Sequence, residues 1–158
     1  MRALIISALF TAFPVFAFAD GQADALARLE AGTEKMTNNL LDFYVSRVPS
    51  LEDVRPDMSW NAEFRDAGQC ILDGLDTDGG PTAVADYLAA LEEFADAEIV
   101  NFTDMTTQMP DALSSNVVLG LSNSCGMIRI GTERMAASGL NDAFAQDGVM
   151  QKVLAPAE

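Results

Sequence analysis

The chain has 158 residues, with 24 Asp and Glu against nine Lys and Arg, no His, and a formal charge of −15. An acidic balance of this size repels nucleic acid and anionic lipid and attracts basic proteins or divalent ions. Without His there is no Ser–His or Cys–His nucleophile pair, no c-type haem attachment and almost no zinc catalysis.

The first element predicted is a secretory signal peptide over residues 1–19. Arg2 supplies the basic start, an uncharged apolar stretch runs from Ala3 to Phe18, and Ala17-Phe18-Ala19 forms an A-x-A cleavage site before Asp20. The apolar run is too short to span hydrocarbon, and Pro14 interrupts it. No Cys follows for lipid attachment, so no membrane insertion is expected after cleavage. Residues 20–158 have the length of a single domain. The excess of Arg over Lys and the many alanines suit a GC-rich bacterial gene, so a periplasmic location is expected ahead of a secreted one. The glycosylation triplet Asn101-Phe102-Thr103 is set aside on the same ground.

In an oxidising compartment the only two cysteines, Cys70 and Cys125, should form a disulfide across the core. Closing a loop of that length is worth roughly 4 kcal/mol.

Periodicity predicts an all-α fold, a single-domain irregular bundle of four to five helices pinned by that disulfide. From Ala23 to Val48, Leu26, Leu29, Met36, Leu40 and Phe43 recur at steps of three and four, with Thr33 in the one polar slot. Pro49 and Pro56 mark a connection. Asp57 or Ser59 can cap a second helix lined by Trp60, Phe64, Ala67 and Ile71, with Trp60 as core anchor and Cys70 beside that face.

The stretch CILDGLDTDGGPTAV, residues 70–84, concentrates Asp73, Asp76 and Asp78 among glycines. Aligned as an EF-hand loop it fails, because Gly74 falls at position one and Ala85 at position twelve, where the bidentate Glu belongs. The three aspartates remain weak candidates for calcium outside that motif. The stretch is better read as a helix corner, with Gly79 ending one helix, Asp78 or Gly80 capping the next and Pro81 in its first turn. Val84, Tyr87, Leu88, Leu91, Phe94 and Ala95 then line a third helix.

A polar segment broken by Pro110 follows. In it Met105 and Met109 stand at helical spacing, as a weak thioether pair for Cu(I) or as adaptable residues of a partner groove. Val117, Leu121, Ile128 and Met135 share a helical face with Cys125, with a break near Ser124. Gly139 ends that helix, and Leu140, Phe144, Val149 and Val153 mark a short final one before a loose C-terminal tail.

The acid pairs Glu63 with Asp66 and Glu92 with Asp96 sit one turn apart, as a carboxylate dyad would, but pairs like these arise by chance in so acidic a chain. No catalytic residue and no cofactor is predicted. The expected function is a non-catalytic protein-interaction or binding module with a basic protein partner. The alternative is a His-independent enzyme or a calcium- or copper-handling protein.

Overall fold

The computed structural model describes residues 16–156. Residues 1–15 of the expected signal peptide therefore lie outside the described residues, and from Phe16 the backbone is already helical. Among the described residues there is no strand, and no helix is long and apolar enough to cross a membrane.

Helix α1 runs Phe16–Arg47. It stops where Val48 leaves helical geometry ahead of Pro49, whose ring cannot continue the hydrogen-bond ladder. A 3-10 turn, Pro49–Val54, leads toward helix α2, Ala62–Asp96. The α2 N-cap is Asn61 rather than Asp57 or Ser59: its side chain accepts the Phe64 N–H at 3.0 Å. Asp57 instead stabilises the preceding turn, accepting the Ser59 N–H. Trp60 accordingly lies just before the helix and stacks on Phe64, with ring centroids 5.8 Å apart.

Helix α2 is two helices joined by a sharp corner at Gly80, where φ is 70° and ψ is −170°. A positive φ strains any residue with a Cβ, and the extended ψ is what the following Pro81 requires. Gly80, one of the two expected caps, stands directly before Pro81, but the free backbone expected of Gly79 falls on Gly80 as well. Gly80 provides the free backbone, whereas Gly79 provides space: a Cβ there would stand 2.7 Å from that of Ala83.

Side-chain pairs set the directions of the halves. Gln22 meets Asp73 and Glu30 meets Arg65, so residues 62–79 run antiparallel to α1. Arg28 meets Glu92 and Asn39 meets the Ala95 carbonyl, so residues 81–96 run parallel to it. The chain then returns along the bundle through two single-turn helices, α3 (Asp104–Thr107) and α4 (Asp111–Ser114).

Helix α5 (Asn116–Ser124) and helix α6 (Met127–Ser138) pack antiparallel to the first half of α2, with Leu121 at Gly74 and Arg129 at Glu63. A Cβ on Gly74 would stand 2.3 Å from Leu121, so α5 approaches α2 as closely as it does only because residue 74 has no side chain. The break between α5 and α6 falls at Cys125 and Gly126, where φ is 86°. It turns the register: Val118 and Ile130 are buried, while the expected Val117 and Ile128 are exposed. Short helices α7 (Leu140–Phe144) and α8 (Val149–Leu154) replace the single final helix, with Gly148 at φ 83° between them.

Two clusters form the core. Leu29, Phe64, Ile71, Leu88, Leu91 and Ile130 anchor the first, between α1, both halves of α2 and α6. Leu41, Phe43, Leu51, Leu140 and Val153 anchor the second, where the end of α1 meets the 3-10 turn, α7 and α8. The long helices, with α2 counted as one or as two, are the four to five expected.

The disulfide joins Cys70 to Cys125 with Cα atoms 5.7 Å apart. It does not cross the core. Cys70 is exposed and Cys125 half-buried, because the buried face of α2 carries Ala67, Ile71, Leu72 and Leu75 and residue 70 falls outside it. The bond fastens the surface seam between α2 and the α5–α6 break.

Candidate functional site

Where α1 begins, it passes the corner of α2 and leaves a cleft of about 460 Å³ between itself and the two α2 halves. Its walls are apolar: Ala25 from α1, Leu72 from the first half of α2, and Pro81, Val84, Ala85 and Leu88 from the second. Leu72 and Leu88 belong to the buried core, so the floor of the cleft is the outer surface of the first cluster. The rim is polar, formed by Asp24 and Gln22 on α1 and by Gln69, Asp73 and Asp76 on α2.

The rim carries an unbalanced negative charge. Asp73 accepts hydrogen bonds from Gln69 at 2.8 Å and Gln22 at 3.5 Å, but these are neutral donors. Among the described residues the Asp76 carboxylate has no hydrogen-bond or ion-pair partner. Asp73 and Asp76 also stand in the last turns of a helix, where the backbone carbonyls already present partial negative charge. Among the described residues Arg28 is the one cation on the border, and it interacts electrostatically with Asp24 of the rim. Its Nε and Nη2 donate to Glu92 Oε1 and Oε2 at 2.7 and 2.9 Å, so its charge is engaged.

The three aspartates singled out in the sequence do not converge. Asp73 and Asp76 border this cleft, while Asp78 borders a shallower depression, which Asp73 also lines, with Val117, Gly120 and Leu121 of α5; the two hollows bring together two aspartates each and neither all three. Among the described residues no three His, Cys, Asp or Glu side chains are grouped to hold a metal ion. Met105 lies in α3 and is half-buried; Met109 lies beyond the end of that helix and is exposed. One helical face therefore does not carry both.

The acid pairs are occupied structurally. Glu63 accepts a hydrogen bond from Arg129 at 2.6 Å, and Asp96 pairs with Lys35. The Arg28 hydrogen bond to Glu92 holds that carboxyl below its usual range, the opposite of what a general acid working near neutrality needs.

No protein-family model, curated protein or solved structure matches the chain. The site therefore has to be read from its own geometry. Sequence reasoning flagged Asp73 and Asp76 but missed Asp24 and the apolar walls around them. The signal was partial: Val84 and Leu88 were recognised as core positions, and nothing local says that α1 starts beside them.

Proposed function

We propose that the protein is an exported, non-catalytic binding module whose partner is a protein with a basic face. The observation that supports this reading is the use the fold makes of its few cations. Arg28 and Lys35 tie α1 to the second half of α2, Arg65 ties its first half to Glu30 of α1, Arg129 ties α6 to Glu63, and Arg55 reaches back to Asp42. Arg134 donates to the Asp57 and Ser59 carbonyls and lies over the Phe64 ring. Most of the positive charge is thus spent between helices. Among the described residues seven carboxylates share those ion pairs; the others form no ion pair, and of these Asp24, Glu34 and Asp57 lie within electrostatic reach of Arg28, Arg65 and Arg134.

A surface of this kind accelerates encounter with a basic partner and turns away anionic competitors. Surface disulfide and acidic coat both suit a periplasmic or secreted protein. The test is affinity capture from envelope extract at low and high salt, with the retained proteins identified. A basic protein held at low salt and released as salt rises is the expected result. Retention of no basic protein at low salt overturns the proposal.

A further inference from the structure

We propose that the cleft between α1 and the corner of α2 is the docking site, and that its occupant is a short segment of a partner protein in which apolar side chains stand beside lysine or arginine. The inference rests on the basic-partner reading and adds the place and the chemistry of contact.

Two features converge. The first is apolar: Leu72, Val84, Ala85 and Leu88 leave a recess of about 460 Å³, the size that receives a few side chains rather than a flat protein face. Filling it with apolar groups removes from water what Val84 and Ala85, and Leu72 and Leu88 of the first core cluster, still expose there. The second is charge. Asp24 approaches the mouth from α1, and Asp73 and Asp76 approach it from the last turns of a helix whose dipole adds to their field. Arg28 offsets only part of that field: Glu92 holds its Nε and Nη2, Asp24 also interacts with it electrostatically, and this one cation stands among Asp24, Asp73, Asp76 and Glu92. An incoming ammonium or guanidinium at the mouth meets three carboxylates, while an anionic segment is repelled by them. A purely polar cation would satisfy the rim and leave the walls wet. A purely apolar segment would fill the recess and leave the repulsion on the rim in place. A segment with both features meets both demands.

The experiment measures fluorescence anisotropy with three labelled peptides: leucine alternating helically with lysine, the same pattern with glutamate for lysine, and lysine with serine for leucine. Each is titrated with the wild-type protein, with the triple variant Asp24→Asn/Asp73→Asn/Asp76→Asn, and with Ala85→Trp, which fills the recess from an exposed wall position. Circular dichroism establishes that each variant is folded. The three rim changes lie on exposed positions, so the charge arm decides even where Ala85→Trp disturbs the helix. The leucine–lysine peptide is expected to bind the wild type, to lose about tenfold in affinity to each variant, and to outbind the other two peptides. Unchanged affinity for the triple variant, no binding to the wild type, or equal binding of the lysine–serine peptide would each overturn the inference. A basic partner captured from extract in spite of such a result would leave the broader reading standing and move its site elsewhere on the surface.

Discussion

Tyr87 shows how much of this protein is set by individual side chains meeting distant ones. It is 8% exposed in the first cluster, and burial raises its hydroxyl pKa above the ordinary 10.0; Tyr44, in the second cluster, shifts in the same direction for the same reason. The neutral phenol is the form that the folded chain accommodates. Since the folded pKa lies above the unfolded one, the stability that these groups contribute is complete below about pH 10. It is lost as pH rises through the folded pKa. Thermal unfolding followed from pH 8 upward should therefore show a fall beginning near pH 10, and Tyr87→Phe should make that fall shallower. Identical alkaline profiles for the two proteins would remove Tyr87 as a cause. The apolar role of this residue was legible, because Val84, Tyr87, Leu88 and Leu91 follow one helical face. The Asn61 cap was less legible, since Asp57, Ser59 and Asn61 all carry a capping oxygen and only the position of Trp60 against Phe64 decides which one starts the helix.

At the level of elements, periodicity identified α1, both halves of α2 and the corner between them, because each presents several apolar residues on one face and the corner carries Gly-Gly-Pro. It failed across the α5–α6 junction. Gly126 in left-handed geometry rotates α6 relative to α5, so a single 3.6-residue count carried through it assigns Val117 and Ile128 to the core in place of Val118 and Ile130. Single-turn helices such as α3 and α4 leave no periodic trace at all. The cleft was legible only in its parts, since contact between Gln22 and Asp73 spans 51 residues of sequence. The disulfide fastens this same α5–α6 junction to α2, and its two cysteines are 55 residues apart. Replacing both with serine should lower stability by roughly 2 to 5 kcal/mol in urea unfolding. Because Cys70 is exposed, dithiothreitol should also reduce the bond in the native protein without denaturant. A loss under about 0.5 kcal/mol would mean that Val118, Leu121 and Ile130 hold the junction unaided.

For the whole molecule, the second core cluster brings together the end of α1 and the last two helices, so chain segments far apart in sequence close one end of the bundle. The return from that end to the start of α5 runs through residues 97–115, where Thr103, Thr106, Thr107, Gln108 and Met109 are exposed on backbone organised in single turns. Such a segment opens locally far more readily than the long helices on either side. It also lies wholly inside the loop that Cys70 and Cys125 close. A protease that cuts there does not release a fragment. It converts the protein into a two-chain molecule, covalently linked in the manner of a processed hormone, whose pieces should run as one band without reductant and as two after it, with the helical circular dichroism retained before reduction.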